Sequence, residues 1–233
     1  MSLEQTQIAP ETVKEWNVEY ERKTPQEILQ FAFSKFERIA FACSFGAEDV
    51  ALVDMIVKIK PDAQIFYLDT DVLFPETYDV IQKIVDRYHP NLIQYRPALT
   101  LEEQAAQFGD ELWAKDPNAC CNIRKVEPLT KALSNLDAWI TGIRREQAPT
   151  RANAGVIEID AKFGLIKFNP LALWTNDDVW AYIKEHQVPY NVLHDQGYPS
   201  IGCKHCTRAV KPGEDPRAGR WSGFAKTECG LHK

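Results

Sequence analysis

Residues 39–59 read IAFACSFGAEDVALVDMIVKI, and their pattern sets the architecture of the chain. An apolar, β-leaning run spans 39–45, the chain turns at Gly46, and apolar residues recur with helical spacing over 50–59. A second strand is expected over 64–68, ending in Asp69. Pro75 then opens a helix at a favourable first position, reaching about Tyr88. The same alternation continues: a strand over 92–95, a helix over 101–115, a helix over 119–136 and a buried strand over 138–143. A helix over 25–36 precedes the quoted stretch. Strands separated by amphipathic helices imply βαβ units, a parallel sheet and right-handed crossovers.

Beyond this core, 156–160 and 165–168 read as a hairpin around Gly164 at the sheet edge. Thr175 opens a helix, with Asp178 as its capping partner. From about Pro189 the periodicity fades, and Pro, Gly and basic residues dominate 211–220. The last twenty or so residues read as a mobile tail rather than core. The division expected is 1–207 for the main domain and 208–233 for a basic loop and tail.

The bulk numbers narrow the function. A chain of 233 residues fits one α/β domain with an appendage, and 45% hydrophobic content supplies a core, so disorder is excluded. The net charge of −6 gives no general attraction to nucleic acid, so an anionic ligand must be held by a local basic site. The N-terminus lacks the pattern of a signal peptide, and no apolar run approaches the ~20 residues of a membrane span. A cytoplasmic protein without membrane or nucleic-acid partners is expected. In that compartment its six cysteines are reduced, and clusters of them read as metal-binding or catalytic before disulfide-forming.

Cysteine placement is the strongest chemical signal. Cys120 and Cys121 are adjacent, and Cys203 and Cys206 form a CxxC unit. Four thiolates in two pairs can close one metal site, holding zinc or an iron–sulfur cluster. Zinc knuckles favour two CxxC-like units, so the vicinal pair favours a cluster. The plainer alternative is a CxxC dithiol with two core cysteines. Cys229 stands apart in TECGLH, near the end of the chain. Lys226, His232 and Lys233 flank it, and such cations raise the thiolate fraction. It is either a reactive thiol on a movable segment or an incidental tail cysteine. Cys43 reads as core.

Ser44 to Asp49, SFGAED, form a strand–turn–helix junction, which can present backbone N–H groups to an anion. It is neither a Walker motif nor GxGxxG. At the C-terminal edge of a parallel sheet, a ligand site is the default expectation. Basic residues gather beside these motifs: Arg124 and Lys125, Arg144 and Arg145, then Arg208, Lys211, Arg217 and Arg220. On an acidic chain such groups suit a compact polyanion.

The ordered set SFGAED, LDT, CCNIRKVEPL, TGIRREQ, GCKHCT, PRAGRW and ECGLH resembles the adenylyl sulfate / phosphoadenylyl sulfate reductase family, in its cluster-containing assimilatory branch. The match runs from about residue 40 to the end. The resemblance implies a Rossmann-like fold related to the ATP-pyrophosphatases, a mostly parallel sheet with helices on both faces. It implies a [4Fe–4S] cluster on Cys120, Cys121, Cys203 and Cys206, and Cys229 as nucleophile on a swinging tail. The phosphosulfate would meet Lys125, Arg217, Arg220 and His232. Adenosine would lie along Ser44, Phe45, Gly46, Ala47, Glu48 and Asp49, and along Leu68, Asp69 and Thr70, with Thr141, Gly142 and Arg144 nearby. The activity implied is reduction of adenylyl sulfate to sulfite and AMP by thioredoxin or glutaredoxin, in a homo-oligomer. The 3′-phosphorylated substrate is also taken by some relatives. One departure stands out: LDTD occurs where the family often has LDTG. Asp71 is therefore expected near the nucleotide, where it would repel a 3′-phosphate. Two other readings remain: a tRNA-thiolating-like ATP-pyrophosphatase, and a nucleotide-binding Cys₄ metalloprotein without activity. The first lacks its SGGxDS loop, and the second gives Cys229 no role.

Overall fold

The computed structural model describes residues 8–231. Helices α1 (Pro10–Tyr20) and α2 (Pro25–Lys35) lead into β1 (Ile39–Ala42) and α3 (Ala47–Ile59). Next come β2 (Gln64–Leu68), α4 (Pro75–Tyr88), β3 (Asn91–Tyr95), α5 (Leu101–Phe108) and the short α6 (Leu112–Lys115) and α7 (Pro117–Cys121). A π-helical turn (Asn122–Val126) joins α7 to α8 (Glu127–Leu133). The chain closes with β4 (Ala138–Ile140), β5 (Ile157–Asp160), β6 (Leu165–Phe168) and α9 (Asn176–Glu185).

The sheet has the order β3-β2-β1-β4-β6-β5. All neighbours are parallel except the β5–β6 hairpin at the edge, as its sequence pattern indicated. Chain order reverses between β1 and β4, so the crevice beyond their C-terminal ends is a topological switch point. Strand residues alternate between two cores. Ile39, Phe41, Ile65 and Ile140 face α2, α3, α4 and α9, while Ala40, Phe66 and Trp139 face α8. Helix α3 is buried continuously from Asp49 to Ile56, which is why it reads as apolar all round. Helix α9 carries the capping box of Thr175 and Asp178.

Three elements depart from the sequence reading. The helix expected over 101–115 breaks at Gly109, which ends α5 at a φ of +83°. The helix expected over 119–136 carries a π turn, in which the Glu127 N–H donates to the Asn122 carbonyl. Pro128 has no N–H for the Arg124 carbonyl, so a regular α-ladder fails at this point. Helix α1 is absent from the sequence reading, although Val13, Trp16 and Tyr20 recur at helical spacing; of these only Val13 is buried. The helix is held by Trp16 and Tyr20 on Phe31, at 5.3 and 4.3 Å between rings, and by Asn17 accepting from the Ile157 N–H at 3.0 Å. None of the described helices is long and apolar enough to cross a membrane.

Candidate active site

A cleft of about 770 Å³ opens at the C-terminal ends of β1, β2 and β4. Its size is that of a small-molecule site. Ser44, Phe45, Gly46, Ala47, Glu48 and Asp49 are among its lining residues. Asp49 is fully enclosed and accepts from both the N–H and the hydroxyl of Ser44. Burial pushes its carboxyl up to about 6, against the opposing hydrogen bonds from Ser44. Glu48 in the same turn pairs with Arg144 at 2.8 Å. The Ser44 N–H is thus already taken, and two carboxylates occupy the first turn of α3.

Gly142, just beyond β4, packs against this turn. A Cβ there would overlap Asp49 Oδ1 and touch Glu48 Cβ. Gly142→Ala should therefore destabilise the fold by roughly 1–3 kcal/mol, the usual cost of overpacking. Urea denaturation would measure this, and an unchanged midpoint would contradict the packing described. Thr141 lies beside it, its hydroxyl donating to Asn169 Oδ1.

From the LDTD segment, Leu68 and Thr70 line the cleft but Asp69 is not among its lining residues. Asp69 is buried and accepts from Tyr78 Oη at 2.7 Å, Gln94 Nε2 at 2.6 Å and the Asp71 N–H at 2.9 Å. It organises the strand end instead. Asp71 also departs from its expected place beside the nucleotide. It adopts a φ of +59°, in the left-handed region where glycine is most at ease. Its carboxylate pairs with Arg96 at 3.0 Å and Arg124 at 3.4 Å, and it does not line the cleft. Asp71 is therefore not placed to repel a 3′-phosphate in the cleft.

The cleft also carries cations. Lys125, Arg151, Arg217 and Arg220 line it together with Cys229. Lys125 comes from the π turn. Burial opposes its charge, but negative charge at Cys203 and Cys229 more than offsets this and raises its pKa above the usual lysine range. Arg220 lies over the Trp221 ring at 4.5 Å, and a Cβ on Gly202 would collide with its guanidinium. Its Nε is buried without a hydrogen-bond partner. Arg208, by contrast, pairs with Glu214 at 2.9 Å and is not among the cleft-lining residues.

Cys120, Cys121, Cys203 and Cys206 line one small void, with Val72, Trp113, Arg124, Lys125, His205 and Trp221. Segments some eighty residues apart thus meet, and Lys125 and Trp221 line both void and cleft. Thr70 Oγ1 lies 3.3 Å from Cys203 Sγ. Burial, followed by the charges of Cys121, Cys203 and Cys206, pushes the Cys120 thiol up to about 12. Thiols so placed give up their protons only to a bound cation. No three His, Cys, Asp or Glu side chains among the described residues are grouped to hold a single metal ion. All six cysteines are free of disulfides, and Cys43 is buried just beyond β1, as expected.

The C-terminal segment folds back over the cleft. Its residues 222–231 form neither helix nor strand, but Glu228 is only 4% exposed. Glu228 accepts from Arg151 Nε at 2.9 Å and Nη2 at 2.8 Å, from Thr150 Oγ1 at 3.1 Å and from Arg217 Nη2 at 3.2 Å. Burial would raise its pKa, but the bonds from Arg151 outweigh this and hold it below the usual carboxylate range. The contact is thus complete at neutral pH and fades only as acid reaches that depressed value. Arg151 and Glu228 were absent from the sequence-derived set. Glu228 had one visible signal, a carboxylate beside Cys229, whereas nothing in APTRA singles out Arg151. His232 lies outside the described residues.

Residues 38–209 match the family described as "Phosphoadenosine phosphosulfate reductase domain". The adenosine 5′-phosphosulfate reductase of Halalkalibacterium halodurans is 48% identical over 223 residues, covering 95% of this chain and 96% of that protein. Its counterpart in Geobacillus kaustophilus is 53% identical over 215 residues, covering 91% of each. Among solved structures, the phosphoadenylyl-sulfate reductase of Candida auris in its phosphate complex superposes with a TM-score of 0.78 at 36% identity, covering 87% of this chain and 98% of that one. The FMN adenylyltransferase of Candida glabrata shares the fold alone, with a TM-score of 0.59 at 17% identity, covering 91% and 74%. Sequence and fold therefore agree across nearly the whole length, and the chain belongs to the phosphoadenosine phosphosulfate reductase family.

Proposed function

We propose that this protein reduces adenylyl sulfate to sulfite and AMP, a step of assimilatory sulfate reduction, with a thioredoxin-like dithiol as reductant. The observation that carries the reading is one cleft lined by Cys229, by the cations Lys125, Arg217 and Arg220, and by the SFGAED turn. In this reading adenosine lies beside Ser44–Asp49, and the phosphosulfate lies toward Lys125, Arg217 and Arg220. Those cations lower the repulsion that the sulfate oxygens exert on an incoming thiolate. The Cys229 thiolate attacks sulfur, the sulfur–oxygen bond to the phosphate breaks, and AMP leaves. Cys229 then carries an S–SO₃⁻ group. One thiolate of the dithiol attacks Cys229 Sγ and releases sulfite, forming a mixed disulfide. The second thiol resolves that disulfide, so both electrons come from the dithiol.

The vicinal Cys120–Cys121 pair and the Cys203–Cys206 pair line one void, and this four-thiol set supports a [4Fe–4S] cluster as the group held there. Bound there, the cluster would brace the Cys120–Cys121 and Cys203–Cys206 segments and impose its charge beside Lys125.

The relatives named as adenosine 5′-phosphosulfate reductases, with the cysteine set, support adenylyl sulfate as the preferred substrate. Purified protein assayed anaerobically with thioredoxin should show a higher kcat/KM for adenylyl sulfate than for its 3′-phosphorylated form. Equal or higher kcat/KM for the 3′-phosphorylated nucleotide would overturn the preference, and no sulfite from either would overturn the activity.

A further inference from the structure

We infer that Glu228 is a positioning residue: by clasping Arg151 and Arg217 it holds Cys229 in the cleft and governs turnover rather than nucleotide binding. The inference rests on Cys229 being the nucleophile. Among residues 222–231 only Glu228 is buried, so it is the main anchor of this segment. The other holds include exposed bonds, from Lys162 Nζ to the Gly230 carbonyl, from Lys226 Nζ to Asn118 Oδ1 and from Arg217 Nη2 to the Thr227 carbonyl, and the half-buried Leu231 on the core facing α8. A carboxylate is buried only when its oxygens are satisfied, and here each oxygen accepts two bonds. Arg151 is itself fixed by a second bond, from its Nη1 to Gln147 Oε1. Gln147 in turn accepts from the Arg144 N–H and donates to the Gly142 carbonyl. A continuous chain of contacts thus runs from the end of β4 to the residue preceding Cys229. Adjacent Cα atoms lie about 3.8 Å apart, so fixing the Glu228 side chain restricts where Cys229 can go.

The clasp also divides the cations. Arg151 and Arg217 spend donors on Glu228, whereas Lys125 lines the same cleft and takes no part in the clasp. Loss of the Glu228 charge would add positive potential to the cleft without removing a nucleotide contact. The rate and the affinity therefore respond differently, which a general loss of structure would not produce.

The test is Glu228→Gln, which keeps the shape but turns an amide toward arginine donors. Its kcat should fall at least ~10-fold, with the KM for adenylyl sulfate unchanged or lower. A second readout needs no turnover. With the holoprotein and iodoacetamide, peptide mapping should show Cys229 alkylated several-fold faster in Glu228→Gln than in wild type. Arg151→Met should accelerate alkylation to a similar degree, and the double variant should add little, as coupled partners do. Wild-type kcat with wild-type alkylation would overturn the inference. So would a fall in kcat accompanied by lost AMP binding and a lowered Tm. If wild type does not reduce adenylyl sulfate, the alkylation rates still test the clasp, while the functional reading fails separately.

Discussion

Cys229→Ser is expected to lose turnover by on the order of 10⁴-fold or more, while binding AMP within about threefold of wild type. Serine preserves the shape, so the Glu228 clasp and the cation set stay in place. What disappears is the only free thiol placed in the cleft outside the core and the four-cysteine void. Cys43 also borders the cleft, but burial pushes its thiol well up, followed by the charge of Asp49, so it stays protonated. Because Cys229 does not line the four-cysteine void, the variant should keep the metal content and colour of wild type. Steady-state sulfite release and AMP titration measure the two arms. A variant that still turns over would refute the assignment.

Anaerobically purified protein should be brown and hold about four irons per chain. Changing any one of Cys120, Cys121, Cys203 or Cys206 to serine should bleach it. The loss should extend into the cleft, because Lys125 and Trp221 line both spaces. The Lys204 N–H donates to the Val72 carbonyl at 2.8 Å, and the Trp221 N–H to the Cys206 carbonyl at 3.0 Å. The CxxC unit thus ties the loop after β2 to the segment leading to Cys229. Variants without the cluster should bind AMP more weakly and be cleaved faster by trypsin between 204 and 226. Stoichiometric zinc without iron after anaerobic handling would refute the cluster.

The sheet was legible because its strands are short apolar runs between turns, and its helices carry 3.6-residue periodicity. The hairpin at 157–168 and the Thr175 cap were read from local pattern alone. Local pattern did not reveal the π turn, although Pro128 inside a helical run was the available signal, nor the break at Gly109. The cysteine set was legible because vicinal and CxxC pairs are rare by chance. Capture of the Ser44 N–H by Asp49, five residues on, is local, yet the SFGAED pattern does not announce it. Asp71 was misplaced because its partners Arg96 and Arg124 lie 25 and 53 residues away. The Arg151–Glu228 contact spans 77 residues and has no local signature at all. The tail reads as irregular in sequence and is irregular in structure, yet one buried carboxylate docks it.

Mass spectrometry of protein mixed with adenylyl sulfate and no reductant decides whether Cys229 carries the reaction. The peptide containing Cys229 should gain about 80 Da, the mass of one SO₃ group, as covalent catalysis requires. Reduced thioredoxin should remove that mass and release an equal amount of sulfite. The same gain on Cys43 or on any other cysteine, or sulfite formed on adding thioredoxin with no adduct beforehand, would contradict the account.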